Sequence, residues 1–436
     1  MERYKTVTTI TDFGPYVTKL ILELPVAVSA ASISPESFNV YVEKKDAKTG
    51  EILDGDDLFT EEERVRPMTG YPKVRRAYPC GRLGNYKNPG AFVALELEEE
   101  FLGKRTEGTM LTSAYIRSDY RVTLLHELNA VPPVGGLVFD ELEEDICPQL
   151  DGWANGESKV GVVELKQEGG TPAAVHLKYG YYTPSEENQK LPLVIWLHGA
   201  GEGGTDPRIA YTGNKVVNIS SPELQKKLGG AAWVLVPQCP TVWMDDGKEQ
   251  LGRSNQSIYS APLKACIDEF IAEHEARIDR NRIYIGGCSN GGFMTVRMAI
   301  DNPDFFAAAF PACEAFFNEN ITDEMIQTLK KLPMWLIHAK GDELVDPQET
   351  ALPLYHRLMA AGADNVHFTY FNRMEDVTGM YRDALGRPRR FFNHGVWVHV
   401  YNDDCLTDFD GRYVMHDGVP VTLWEWMGKQ ASTALH

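Results

Sequence analysis

No apolar run in the 436 residues approaches the ~20 needed to cross a bilayer as a helix, and the longest, such as LPLVIWLHGAG, fall far short. The first ten residues, MERYKTVTTI, lack the apolar core of a secretion signal. A soluble, cytoplasmic protein is expected, or a secreted one if a leader has been removed. Positive charge is also scarce. Lys and Arg total 43 against 62 Asp and Glu, giving a formal net charge of -19. Nucleic acid and an anionic membrane surface are therefore poor partners, since phosphate binding needs clustered cations. The seven cysteines are unpaired in spacing and odd in number, so at least one thiol is free and a reducing compartment fits. There is no CxxC pair, no HExxH and no His/Asp cluster. Neither a metal nor another cofactor is expected.

With 43% apolar and 24% charged residues the chain has a globular composition, and its length suggests two domains. Up to about Leu128 the pattern has period two. LILEL puts Leu20, Leu22 and Leu24 on one face, and FNVYV does the same with Phe38, Val40 and Val42. FVALELE and YRVTL repeat the alternation, which predicts a small β-sandwich over 1–128. The next segment, 129–152, is rich in Pro, Gly and acid without a clear period, and reads as a connector. From 153 to 436 the grammar changes. Short, continuously apolar runs (LPLVIWLHG, AAWVLVPQ, RIYIGG, FFAAAFPA, PMWLIHAK, VHFTYFN) alternate with helical stretches such as SAPLKACIDEFIAEHEARI. That alternation predicts an α/β fold with a mostly parallel sheet flanked by helices.

Within it, GCSNG has the form G-x-S-x-G and lies between the apolar run RIYIG and the helical run GGFMTVRMAI. A strand that turns directly into a helix points its central side chain outward and leaves no room for side chains on either flank. Gly287 and Gly291 meet that requirement, so Ser289 is the candidate nucleophile, with the helix N-terminus directing positive dipole toward it. A serine hydroxyl needs a base to take its proton and an acid to orient the base. Asp342, just past the end of PMWLIHAK, is the preferred acid. Asp346, before Pro347, reads as a helix cap, and Glu343 is a weaker third. Two histidines follow in the right region. His394 lies in a glycine-containing loop and is preferred as base, whereas His399 alternates with Trp397 and Tyr401 along an apparent short strand. Upstream, HGAGEGG follows a buried strand with a loop nearly devoid of side chains. It lacks the lysine of a P-loop. Such a loop presents backbone amides to a developing oxyanion, and the donors expected are Ala200 and Asn290.

With HGAGEGG, GCSNGG, GDELVDP and HGVW in this order, the region from about Val160 onward resembles the α/β-hydrolase superfamily, and most of all its polyhydroxybutyrate depolymerase and feruloyl esterase-like members. PQCPTVW is similar to theirs as well. The resemblance implies a Ser289, Asp342, His394 triad, with Trp397 three residues past the base; Asn393 and Gly395 depart from the usual GHWSW pattern. VSAASISPESFNVYV is similar to the immunoglobulin-like domain that precedes some bacterial esterases, which would restrict the active-site mouth or make oligomer contacts. The expected function is a serine carboxylesterase acting on a small-molecule ester through an acyl-enzyme. Trp243, Phe316, Glu202 and Glu314 are candidates for lining its pocket, although solvated loop charges are the simpler reading of the two glutamates. An aminopeptidase or amidase of the prolyl oligopeptidase-like group and an inert binding protein are the alternatives, and homo-oligomer formation is left open.

Overall fold

The computed structural model describes residues 2–53, 68–98, 105–107, 111–159, 174–186, 188–248 and 254–432. Val160, where the resemblance was expected to begin, lies outside them. The chain divides into two units, 1–106 with 114–151, and 107–113 with 152–436.

The period-two segments of the first unit form β1 (Glu2–Thr11), β2 (Gly14–Val28), β3 (Phe38–Asp46), β4 (Val74–Cys80), β5 (Gly90–Leu97), β6 (Arg105–Glu107), β7 (Ser113–Leu124) and β8 (Val138–Ile146). They are joined in the order β3-β7-β8-β1-β2-β5-β4, with β6 beside β7. Leu20, Leu22 and Leu24 of β2 and Phe38, Val40 and Val42 of β3 all enter the core. Ile21 points the other way, yet it too is buried, against Cys80 and Ala94, so β2 is covered on both faces.

The segment expected to be a connector is corrected here. Its residues Val138–Ile146 are β8, which pairs in parallel with β1 and antiparallel with β7. The acidic run VFDELEEDI resembles a linker because only Phe139 carries the core. Its acids instead meet partners on β1: Lys5 donates to Glu144 at 2.6 Å, and the hydroxyls of Thr6 and Thr8 donate to Asp145 at 2.5 and 2.8 Å. Lys5 is itself buried. Cross-strand ion pairs and hydrogen bonds thus take the place of apolar alternation.

In the second unit the apolar runs become β11 (Leu191–Leu197), β12 (Trp233–Gln238), β13 (Ile278–Cys288), β14 (Ala308–Ala312), β15 (Met334–Ala339) and β16 (Val366–Phe371), preceded by β9 (Trp153–Glu157) and β10 (Lys178–Tyr182). The sheet order is β16-β15-β14-β13-β11-β12-β10-β9. The six strands from β16 to β12 are parallel, and β10 and β9 close one edge antiparallel. Every residue of β11, β12, β14 and β15 is buried, as a sheet covered on both faces requires. The helix Ser260–Glu273 supplies Leu263, Cys266, Ile267, Phe270 and Ile271 to that cover. Chain order reverses at β11, which has β12 on one side and β13 on the other. The crevice beyond the carboxyl ends of such strands is where sites gather in open parallel sheets.

If β8 is an integral strand, Phe139→Ala should destabilise the protein by about 3–5 kcal/mol, the usual cost of emptying a buried phenylalanine site. Chemical denaturation followed by circular dichroism measures this; a near-zero change would return 138–146 to the status of a linker.

Candidate active site

The helix Asn290–Asp301 begins two residues after Cys288 ends β13, so the whole reversal falls on Ser289. Its backbone is at φ 56° and ψ -119°, a conformation that a residue with a Cβ adopts only under constraint. The constraint is visible at the flanks. A Cβ on Gly291 would lie 2.1 Å from the Leu197 carbonyl oxygen, and one on Gly287 would lie 2.6 Å from the oxygens of Leu197 and Gly291. Strand end and helix start are therefore pressed against the end of β11 more closely than any side chain permits. The turn is also held by hydrogen bonds. Ser289 N–H donates to Ala312 O at 3.0 Å and Ser289 O accepts from Phe293 N–H at 3.0 Å. Asn290 is fixed by accepting from Trp243 N–H at 2.8 Å. The Ser289 side chain is half-buried, and its hydroxyl has no hydrogen-bond partner among the described residues. Cys288 is fully buried, and burial pushes its thiol well up, which leaves it unreactive.

Asp342 and His394 are brought together. His394 Nδ1 lies 2.8 Å from Asp342 Oδ2 and 3.0 Å from Oδ1, both residues being nearly inaccessible. Burial alone would raise the Asp342 pKa. Hydrogen bonds from His338 and His394, the His394 ring's charge and the Val345 amide outweigh it and hold the carboxyl well below the ordinary range. An ionised carboxylate only accepts, so the proton of the neutral His394 ring sits on Nδ1 and the Nε2 lone pair is left to take another. Trp397 packs edge-on against the ring at 5.5 Å. Asn393, which departs from the expected pattern, secures the loop by donating to Gly341 O and to Glu343, whose carboxylate also accepts the Asn393 N–H.

The two competitors have other partners. Asp346 accepts from Gln348 N–H, closing a turn ahead of the helix Ala351–Ala360. His399 is not on a strand: it lies in the helix Trp397–Tyr401, bonded to Asp404 at 2.7 Å and stacked on Phe371 at 3.9 Å. Val396, Val398 and Val400 are all buried, so tertiary packing overrides the strand propensity of VWVHVY.

The HGAGEGG loop is held from inside. His198 accepts from Cys239 N–H at Nε2 (2.9 Å), so its proton is on Nδ1, which donates to Gly199 O at 2.8 Å. Burial pushes its pKa down to about 4 against that hydrogen bond, keeping the ring neutral. Glu202 accepts from Gly199 N–H at 3.1 Å and from Asn214 Nδ2 at 2.9 Å. The Gly199 amide is thereby used, whereas the amides of Ala200 and Asn290 take part in no hydrogen bond among the described residues. Both stand at the ends of adjacent strands.

The four pocket candidates are all buried, so the expectation of solvated charges at Glu202 and Glu314 is corrected. Glu202 is a loop brace. Glu314 accepts from Phe316 N–H at 2.6 Å, and burial pushes its pKa well up despite that bond. Phe316 stacks on Phe293 at 4.9 Å, and Trp243 packs between His198 and Tyr259 at 5.5 and 6.1 Å. None of the four presents surface to solvent. His338, which the sequence analysis does not single out, stands four residues before Asp342, and that spacing is the one signal in the sequence that could have found it.

These features make the second unit an α/β-hydrolase, preceded by an immunoglobulin-like domain. Residues 182–378 match the phospholipase/carboxylesterase family, and residues 3–131 match the esterase Ig-like N-terminal domain. A solved structure described as a thermostable esterase has the same fold, with a TM-score of 0.72 over 99% of this chain and 100% of its own at 24% identity. Poly(3-hydroxyalkanoate) depolymerase C of Paucimonas lemoignei is 28% identical over 138 residues, 30% of this chain; the match spans 29% of that protein's length.

Gly291→Ala should cost on the order of 3 kcal/mol or more, because the backbone of Leu197 and His198 at the end of β11 must move to admit the new methyl. Thermal denaturation reads the loss, and an unchanged midpoint would show that the turn is not crowded.

Proposed function

We propose that the chain is a serine carboxylesterase in which Ser289 is the nucleophile, His394 the general base and acid, and Asp342 the group that orients and stabilises the imidazolium. The observation that carries this reading is the buried Asp342–His394 pair, because its hydrogen bonds fix the tautomer with Nε2 open to accept a proton. The elbow supports it by pointing a hydroxyl outward at a helix N-terminus. The family over residues 182–378 supports hydrolysis of carboxylic esters, and the depolymerase relative is named for a polymer whose linkages are esters.

In this scheme Ser289 Oγ attacks the ester carbonyl as its proton passes to His394 Nε2. The tetrahedral oxyanion is met by the amides of Ala200 and Asn290, each of the kind whose loss typically costs ~100- to 1,000-fold in turnover. His394 then protonates the departing alcohol, leaving an acyl group on Ser289. Water, deprotonated by the same imidazole, attacks this ester, and as the acid is released the proton passes from His394 Nε2 back to the departing Ser289 Oγ. Glu202 and His198 take no proton; they hold the loop so that the Ala200 amide needs no rearrangement when charge develops.

Hydrolysis of short-chain p-nitrophenyl esters tests the assignment. Ser289→Ala should lower turnover by about a million-fold and His394→Ala comparably, as members of a unit do. His399→Ala should leave turnover within a few-fold. Near-normal hydrolysis by Ser289→Ala, or loss of activity with His399→Ala alone, would contradict the roles given.

A further inference from the structure

Asp342 is shared between two histidines. Besides His394, its Oδ2 faces His338 Nε2 at 3.0 Å, and the same nitrogen lies 3.1 Å from Val345 O. His338 belongs to β15, four residues upstream. The reversal that folds the carboxylate back over the strand end passes through Gly341 at φ 68°. Both neighbours of His338 Nε2 are acceptors, so this nitrogen carries the proton and donates. Its other nitrogen, Nδ1, is buried without a hydrogen-bond partner among the described residues. The ring is wholly inaccessible and cannot touch a substrate.

We infer that His338 is a positioning residue: a second imidazole that holds Asp342 in the orientation, and with the charge distribution, from which it serves His394. The inference rests on the esterase reading above. Oδ1 is secured by the amides of Leu344 and Val345, each at 2.9 Å, but Oδ2 receives hydrogen bonds only from the two histidines among the described residues. Without His338, Oδ2 would be tethered only by the imidazole it is meant to orient. Rotation about the Asp342 side chain would be resisted on one oxygen alone, and negative charge on Oδ2 would be spent wholly on His394. The other titratable groups around the carboxylate are the buried Cys313 thiol, which burial and neighbouring acids push well up, and Glu343, held by Asn393. Neither donates to Oδ2.

Two substitutions separate positioning from packing. His338→Met keeps apolar volume and removes the donor. His338→Gln keeps a donor nitrogen close to where Nε2 stood. The Met protein should lose about 10- to 100-fold in kcat with KM little changed, the scale of one hydrogen bond to a charged group. The acid limb of its pH profile for kcat/KM should move to higher pH, because an Oδ2 relieved of one donor holds the protonated His394 ring more tightly. The Gln protein should recover most of both. If His338→Met does not fold, His338→Asn, whose amide falls short of Asp342, should show the same losses. A second readout does not depend on turnover: the downfield proton resonance of His394 Nδ1–H in the uninhibited full chain. It should shift or broaden in His338→Met and be retained in His338→Gln. An unchanged resonance and pH profile in the Met protein, or equal losses in Met and Gln, would overturn the proposal. A resonance that responds as expected in a protein that hydrolyses no ester would overturn the esterase reading and leave the positioning role standing.

Discussion

The second unit depends on one steric constraint, the close approach of β13, the following helix and the end of β11 around Ser289. Three backbone segments meet there within distances that exclude a Cβ at residues 287 and 291. The positive φ of Ser289 follows from that closure rather than from any preference of serine. The cost is offset by continuous burial of the parallel strands behind it, in which Ile283, Tyr284 and Ile285 of β13 lie among the buried residues of β11 and β14. A strained turn on a rigid sheet places its hydroxyl reproducibly, as a loop of its own could not.

Around this turn the polar groups divide into those that are fully engaged and those that remain open. His198, Glu202 and Asn214 satisfy one another and the loop backbone. Asp342 takes donors on both oxygens. The Ala200 and Asn290 amides and the Ser289 hydroxyl, the three groups that the proposed chemistry uses, have no hydrogen-bond partner among the described residues. A preorganised site has this pattern, because donors already held by the protein cannot reorganise toward a developing charge, while open ones on a fixed backbone meet it at little cost.

Much of this was legible in the sequence because the decisive signals are local. A continuous apolar run, a glycine-flanked serine and a helical run specify strand, turn and helix without reference to anything distant. The same holds for β11, β12 and β15. What escaped was set by tertiary contacts. β8 lacks apolar alternation because its acids pair with Lys5, Thr6 and Thr8 on a strand more than 130 residues earlier in the chain. β9 and β10, WANGE and KYGYY, are short, half-buried antiparallel strands at one end of the sheet, too brief and glycine-broken to stand out. The helix around His399 overrides a strand-like sequence. His338 reaches Asp342 only because the chain doubles back through Gly341, which the spacing alone does not dictate. The inward turn of Glu202 and Glu314 likewise depends on amides that only the folded loops bring within reach.

The most direct test of the central claim, an activated hydroxyl at the tip of the β13 turn, is covalent trapping by a fluorophosphonate followed by peptide mass spectrometry. The account predicts stoichiometric modification of the native protein at Ser289, abolished by prior heat denaturation. No modification, or modification spread over other serines with Ser289 untouched, would contradict it.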